Sequence, residues 1–178
     1  PVPLTAAGDM RYADLVIDRK RNRLICIRED NTPEGEPAHT IAAIDLGGDE
    51  FGTVLFSQTD FVSFPVLSND GNKLAWVAWN HPNMPFYSSS LWCADVEEDG
   101  SLTNIQEIVS EQDESITDPR WSPSGDLYFC SDRSNWWNLY CWQNGEAKHI
   151  CPMEAELGNP FWNIGKSFYR FLDLNRVF

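Results

Sequence analysis

The chain has 178 residues, of which 42% are hydrophobic and 13% aromatic. This composition is sufficient for a packed core and excludes an intrinsically disordered segment. The formal net charge of −14 repels phosphate backbones and anionic lipid headgroups, so nucleic acids and membrane surfaces are excluded as expected partners.

We expect no targeting signal at the amino terminus. Residues 1–5 have neither the basic nor the apolar region of a secretory signal peptide. No apolar run approaches the roughly 20 residues that a membrane span needs. The chain also lacks an initiator methionine, and we expect it to be a segment of a longer, cytoplasmic protein.

The cysteines and histidines do not suggest a disulfide framework or a metal site. The five cysteines are odd in number and form no Cys-x-x-Cys pair. Most lie in or beside apolar, strand-like runs, where a thiol behaves as a small hydrophobic group. We expect reduced, structural thiols, although Cys141 and Cys151 would come close if their strands pair. The three histidines are isolated from one another and from the cysteines, so we expect no metal.

A hairpin-like segment of two apolar runs and a tight turn recurs along the chain. The turns at 68–71 and 122–125 combine Ser, Asn, Asp or Pro with a final Gly. Polar side chains of this kind cap their own backbone, and Gly accepts the positive φ that closes a hairpin. The copy at 18–22 lacks a Gly and ends on Asn22. The four copies occupy residues 15–28, 65–79, 119–130 and 160–172.

Two further strand candidates follow each of the first three hairpins. The copies begin at residues 15, 65, 119 and 160, and a four-stranded propeller blade takes about 40–50 residues. Helical periodicity is nowhere sustained, and 104–111, its nearest approach, is interpreted as a strand. The further strand candidates are 40–45 and 53–57, then 91–95 and 105–109, then 138–142 and 147–150.

The predicted fold is all-β, a partial β-propeller of four-stranded antiparallel blades with Trp76, Trp121 and Trp162 filling the gaps between them. A β-sandwich, the rival architecture, would not repeat Ser-x-x-Gly hairpins at this period. Residues 1–178 then form a single propeller segment, and 1–5 form the outer strand of a preceding blade. The predicted blades lie near 11–57, 61–110 and 116–151, with the start of the next at 157–178.

Three blades and part of a fourth are too few to close a ring, since a closed propeller needs about 4–8 blades. The terminal sheets would therefore leave apolar faces and blade ends uncovered. We expect the segment to pair with another copy through these open edges or to close irregularly.

Four stretches, taken in order, resemble the propeller of acylaminoacyl-peptidase and dipeptidyl-aminopeptidase-like enzymes of the prolyl oligopeptidase family. Two of them read Leu-Ala-Trp-Val-Ala-Trp-Asn-His-Pro from residue 74 and Ser-Asp-Arg-Ser-Asn-Trp-Trp-Asn from residue 131. The resemblance implies a serine peptidase acting on short peptides, in which the propeller sits against a C-terminal α/β-hydrolase domain. That domain is absent from this sequence. The four stretches are 11–30, 74–92, 127–140 and 151–162.

The residues themselves provide no catalytic machinery, and we expect no cofactor. The Gly-x-Ser-x-Gly turn of a hydrolase nucleophile does not occur, because 165–169 ends on Tyr169. Gly165-Lys166-Ser167 lacks the upstream Gly of a phosphate-binding loop, since Pro160 stands there, and is interpreted as a hairpin turn. The acidic run 95–100 fails as a calcium loop because its twelfth position is Gln106.

The connections between the second and third strands of successive blades should cluster polar groups on one face. They begin at 28–30, 80–82 and 132–134. One interpretation is a solvated rim with local ion pairs. The alternative hypothesis is that this face meets the hydrolase domain, with Glu29, His81 and Arg133 facing the path of the substrate. Trp136 and Trp137 are interpreted as packing residues.

The leading functional prediction is a noncatalytic propeller segment that gates or docks onto the hydrolase domain of a serine peptidase. The alternative is a stand-alone propeller that binds a protein or a small ligand. A propeller glycosidase ranks last, because paired acids would have to converge from inner strands, and the inner strands here are apolar.

Overall fold

The structure, a computed structural model, describes residues 3–48, 51–160, 165–174 and 176–178. Within these ranges the chain forms three antiparallel sheets of four strands, joined in sequence order within each sheet. This confirms the predicted fold class, a partial propeller of four-stranded blades. The strands are β1 Met10–Asp18, β2 Arg23–Asp30, β3 Ala38–Asp45, β4 Thr53–Phe56, β5 Phe61–Leu67, β6 Lys73–Trp79, β7 Ser90–Val96, β8 Leu102–Val109, β9 Ile116–Trp121, β10 Leu127–Ser131, β11 Asn138–Gln143 and β12 Glu146–His149.

The sheets stack through their apolar faces, and β6 shows why the sequence requires this. Side chains alternate along a strand, so the almost wholly apolar β6 must be buried on both faces. Trp76 faces the first sheet, whereas Val77 faces the third. We call the contact between the first and second sheets the first junction, and that between the second and third sheets the second junction.

Each junction has an aromatic core. In the first junction the ring of Phe56 lies 4.8 Å from that of Trp76 and 5.1 Å from that of Trp92, between ring centroids. In the second junction, Phe129 and Tyr140 stack at 5.9 Å. Trp76 is completely buried, as predicted for a residue that fills the gap between sheets.

The innermost strands β1, β5 and β9 carry a bulge at the same place. Asp14, Phe64 and Asp118 adopt positive φ angles of 52°, 51° and 49° there. The Asp14 carboxylate accepts a hydrogen bond of 3.0 Å from the Phe64 N–H on the next sheet. Asp118 accepts one of 2.7 Å from the Phe168 N–H. Phe168 therefore occupies, one sheet further on, the position that Phe64 occupies in the second sheet.

The fourth copy predicted at 160–172 can be compared with the structure only in part, because residues 161–164 lie outside the described residues. In the described part of this segment, Arg170 and Phe178 exchange main-chain hydrogen bonds of 2.8 and 3.0 Å and form a hairpin. This hairpin lies inside the range 157–178 that was predicted to begin the next blade. Within the described residues of this segment only a single bridge forms, between Phe171 and Val177.

Two other terminal predictions have different outcomes. Residues 3–5 form no strand, contrary to the predicted outer strand of a preceding blade. A strand needs a neighbour for its N–H and C=O groups, and the described residues contain no sheet before the first one with which 3–5 could pair. Trp162, predicted to fill a gap between sheets, lies outside the described residues, as do Pro1 and Val2.

All five cysteines are free thiols, including Cys141 and Cys151. Burial raises the pKa of Cys26 to about 11 and that of Cys130 to about 12. These two thiols therefore stay protonated at neutral pH and act as packing groups. In the described residues, no helix has the length and apolar character needed to cross a membrane.

Candidate functional site

The connections between strands fall on two opposite faces, because consecutive strands of an antiparallel sheet run in opposite directions. The loop face carries the connections between the second and third strands and those between sheets. The turn face carries the tight hairpins. The predicted site residues Glu29, His81 and Arg133 all lie at or beside the connections of the loop face.

Glu29, near the end of β2, is held by three neighbours. Its carboxylate accepts a hydrogen bond of 2.9 Å from the side chain of Asn31 and lies 3.2 Å from the guanidinium of Arg11. Its second oxygen is 3.3 Å from His39 Nε2. The hydrogen bond from Asn31, reinforced by the contacts with His39 and Arg11, lowers the pKa of Glu29. The side chain is thus an ionised, locally paired group at neutral pH.

His81, which follows β6, joins two loops across the first junction. Its Nε2 lies 2.8 Å from the carboxylate of Glu36 in the loop between β2 and β3. The ring also packs edge-on against Phe61, 4.9 Å away between centroids. With 53% of its side chain exposed, His81 is accessible to a ligand. A cavity of about 230 Å³ lies beside it, lined in part by Glu36, His39 and Phe61.

Arg133, which follows β10, is bound to a carboxylate that the sequence did not reveal. Its Nε and Nη2 atoms each donate a hydrogen bond of 2.8 Å to Glu114, whose side chain is 1% exposed. The hydroxyl of Ser131 donates to the same carboxylate. The guanidinium also lies 5.3 Å from the ring centroid of Tyr140. Arg133 is therefore a structural partner of Glu114 at the second junction.

The three predicted residues belong to two separate clusters. Glu29 contacts His39, and the rings of His39 and His81 both pack against Phe61, at 5.1 and 4.9 Å. His39 and His81, which are isolated from each other in the sequence, therefore pack against a shared ring, because the first junction brings their strands together. Arg133 contacts neither. Across the described part of the chain, no group of three potential metal ligands forms.

The loop between β6 and β7 is fixed on the second junction and presents an apolar tip. The Ser115 hydroxyl donates to the Pro85 carbonyl at 2.6 Å, and the Ser89 N–H donates to the Glu114 carbonyl at 2.9 Å. Met84, directly before the first anchor, is 50% exposed, and Tyr87, between the two anchors, is 67% exposed. A rigid loop with exposed Met and Tyr is typical of a protein contact surface.

A buried charged group closes the first junction at the turn face. The guanidinium of Arg21 donates to the carbonyls of Glu97, Gly71 and Val96 on the second sheet, at 2.7, 2.8 and 2.9 Å. Arg21 and Arg23 both form ion pairs with Asp18, which is fully buried. We call Asp18, Arg21 and Arg23 the arginine clamp. It links the sheets through main-chain acceptors, so the opposing side chains are free to vary.

Sequence reasoning missed Glu114 and the arginine clamp for different reasons. Glu114 lies in an acidic connection whose composition predicts exposure to solvent. The burial of its side chain becomes apparent only from the fold. Arg21 stands where the other two turns have Gly71 and Gly125, a difference that the aligned copies do contain. The aligned copies also contain Asp14 and Asp118, each directly before its hairpin. Trp137 packs as predicted, whereas Trp136 is 38% exposed because it precedes β11.

Known proteins similar to this chain include peptidases. The structure of a puromycin hydrolase aligns with 96% of this chain and 28% of its own, at 33% identity and a TM-score of 0.87. A puromycin-hydrolyzing peptidase of Mycobacterium tuberculosis aligns with 98% of this chain and 29% of its own, at 31% identity and a TM-score of 0.87. An uncharacterized peptidase of Bacillus subtilis (strain 168), YuxL, is 29% identical over 116 residues, which are 62% of this chain and 16% of that protein.

These findings confirm the resemblance to the propellers of prolyl oligopeptidase-type peptidases. The chain spans less than a third of the length of these relatives and corresponds to part of their propeller region. No protein-family model matches the chain.

Proposed function

We propose that this chain is the noncatalytic propeller segment of a serine peptidase, and that it docks onto an α/β-hydrolase domain and limits access to short peptides. The observation that carries this proposal is the similarity to puromycin-hydrolysing peptidases over 96% of the chain. The remainder of those relatives is long enough to contain a catalytic domain.

The loop face is the proposed docking surface. Met84 and Tyr87 are exposed on a loop whose anchors to Glu114 and Ser115 fix its conformation. A preorganised apolar tip loses little conformational entropy on binding, and buried Tyr side chains contribute strongly to interfaces. The neighbouring contacts of His81 with Glu36 and of Arg133 with Glu114 would then lie at the rim of the interface.

Substitution of the loop tip in the intact polypeptide tests the docking. We expect Met84→Ala/Tyr87→Ala to lower kcat/KM for short peptides and to raise the cleavage of folded proteins, because the access route opens. The matched control is Leu46→Ala, which removes an exposed apolar side chain beside a hairpin of the turn face. Unchanged turnover of both substrate classes in the double variant would overturn the docking role.

The substrate-facing role of Glu29, His81 and Arg133 is part of the same proposal. His81 is the most accessible of the three, so His81→Ala should change KM for short peptides most. Arg133→Met keeps much of the packing, and Glu29→Gln keeps the shape of the side chain. If all three variants fold and have the KM of the unmodified polypeptide, these residues do not face the substrate.

The catalytic half of the proposal has an independent test. The coding sequence that follows Phe178 should contain Gly-x-Ser-x-Gly with later Asp and His codons. A serine-reactive fluorophosphonate should label the intact polypeptide outside the 178 residues described by this sequence. Stoichiometric labelling within these residues would contradict the noncatalytic assignment. A coding sequence without any hydrolase domain would favour the alternative, a stand-alone binding propeller.

A further inference from the structure

A groove of about 620 Å³ opens at the second junction, on the turn face, away from the proposed docking surface. One wall consists of β7 and β8 of the second sheet, and the other of hairpins of the third sheet. Its volume is in the range of about 300–1,000 Å³ that is typical of small-molecule sites. The residues that define its chemistry are Lys73, Asp95, Gln106, Trp121, Trp142 and Asn144.

Two indole rings form the apolar part of this groove. Trp121 and Trp142 are partly buried and pack against the core of the second junction. The indole N–H of Trp121 donates a 3.0 Å hydrogen bond to the Val66 carbonyl across the junction. These contacts hold both rings in place while they also line the groove. They provide a fixed apolar platform at little entropic cost to a ligand.

The ionic groups of the groove largely neutralise one another. Lys73 Nζ lies 2.7 Å from the carboxylate of Asp95, whose other oxygen accepts a 2.7 Å hydrogen bond from Asn104. The hydrogen bond from Lys73 lowers the pKa of Asp95, so this acid stays ionised and paired. Asp126 remains as a carboxylate that accepts from Ser124 at 2.9 Å. The groove therefore offers no uncommitted cation to an anionic ligand.

Uncharged hydrogen-bonding groups remain available. The side chains of Gln106 and Asn144 are exposed and form no hydrogen bond with any residue in the described ranges. Each amide presents both donors and an acceptor. Asn144 is held at a positive φ of 54° in the turn between β11 and β12, which fixes where its short side chain projects.

The equivalent space at the first junction has a different chemistry. That space, of about 480 Å³, is lined by Arg21 and Arg23 in place of the indole rings. The guanidinium of Arg21 is committed to main-chain carbonyls of the second sheet. Of the two junctions, only the second therefore combines an aromatic platform with amide side chains that are available to a ligand.

We infer that the groove at the second junction binds an uncharged mono- or disaccharide. A sugar ring combines an apolar C–H face, which suits an indole platform, with hydroxyl groups that need both donors and acceptors. Anionic ligands are disfavoured by Asp126 and by the net charge of −14. Asp126 is a single, half-buried carboxylate that already accepts a hydrogen bond from Ser124, and one such group gives little affinity for cations in water. The lining of the groove therefore matches a neutral ligand that has both an apolar face and hydroxyl groups.

The test measures saturation transfer by NMR from the intact polypeptide to maltose, cellobiose or N,N′-diacetylchitobiose at millimolar concentration. We expect transfer to the ring protons of at least one sugar, together with a change in tryptophan fluorescence. Gln106→Ala and Asn144→Gly should each weaken the binding about fivefold, the effect of one lost hydrogen bond. Glycine tolerates the positive φ of residue 144, so the second variant keeps the turn.

Thr53→Ala, at the first junction's equivalent space, is the matched control and should leave the binding unchanged. Absence of transfer to all three sugars overturns the inference, as does transfer that persists unchanged in a Gln106→Ala/Asn144→Gly double variant. Because binding is measured directly, the outcome does not depend on peptidase activity or on docking of a hydrolase domain.

Discussion

The two junctions between sheets use the same strand arrangement but place their buried charges at opposite faces. At the first junction the arginine clamp lies on the turn face, and the loop face carries a cavity beside His81. At the second junction the buried pair of Glu114 and Arg133 lies on the loop face, and a larger groove opens on the turn face. Only the apolar stacking is common to both, so stacking defines the fold, whereas the polar groups at each face are free to diverge toward function.

The largest effect should come from the apolar stacking itself. Trp76→Ala removes a fully buried ring that contacts Phe56 at the first junction. Such a truncation should lower the free energy of unfolding by about 3–5 kcal/mol, measured by urea denaturation. Trp136→Ala removes an exposed indole and should cost much less. Equal losses in the two variants would contradict the assignment of Trp76 to the core.

At the second junction, breaking the buried ion pair should cost about 3 kcal/mol. Arg133→Ala leaves Glu114 buried, and the Ser131 hydroxyl is then its one remaining side-chain partner among the described residues. In a double-mutant cycle, Glu114→Gln/Arg133→Ala should recover much of the lost stability, because no buried charge remains. If the two single losses simply add in the double variant, the pair does not interact energetically.

The corresponding change at the first junction is Arg21→Ala. It removes three hydrogen bonds to carbonyls of the second sheet but leaves Asp18 paired with Arg23. We expect a loss of about 2–3 kcal/mol in urea denaturation. Arg19→Ala, two residues earlier on the exposed surface of the same turn, is the matched control and should be nearly neutral. A near-neutral Arg21→Ala would show that apolar stacking alone holds the first junction.

The smallest effect concerns the turn that the arginine clamp contacts. The hydrogen bond from Ser68, followed by that from the Asn72 N–H, lowers the pKa of Asp70 to about 2. A depressed pKa stabilises the fold above the unfolded pKa of about 3.9. This contribution is lost as the pH falls toward 2. Ser68→Ala should move the NMR titration midpoint of Asp70 upward, and an unchanged midpoint would contradict this cause.

The sequence predicted the parts of the fold that repeat and missed those that depend on contacts between repeats. The hairpins at 68–71 and 122–125 were recognisable because Gly and short polar residues have a local conformational role there. The burial of Glu114 was not recognisable from the sequence, because nothing in an acidic connection indicates that one of its carboxylates pairs with a distant residue such as Arg133. The hydrogen bond from the Phe168 N–H to Asp118 is likewise a contact between repeats that has no local signal in the sequence.

Among the site residues, the sequence identified the shared face but not the grouping within it. Glu29, His81 and Arg133 do lie at or near loop-face connections, as the strand count implies. That His39 and His81 both pack against Phe61 follows from stacking between two sheets, and residues 42 positions apart have no local pattern that reveals it. Tertiary contacts therefore decide which polar groups form a cluster.

The carboxylates of Asp14 and Asp118 each accept a hydrogen bond from a main-chain amide 50 positions further along the chain, that of Phe64 in the second sheet and that of Phe168 in the segment after the third sheet. Every residue except proline has a main-chain N–H group. These hydrogen bonds can therefore position one repeat relative to the preceding one without requiring a particular side chain at the donor residue. Insertions or deletions in the intervening connections can change the length of these loops while the relative position of the repeats is kept. The loops of the loop face can therefore vary in evolution without a change in how the sheets stack.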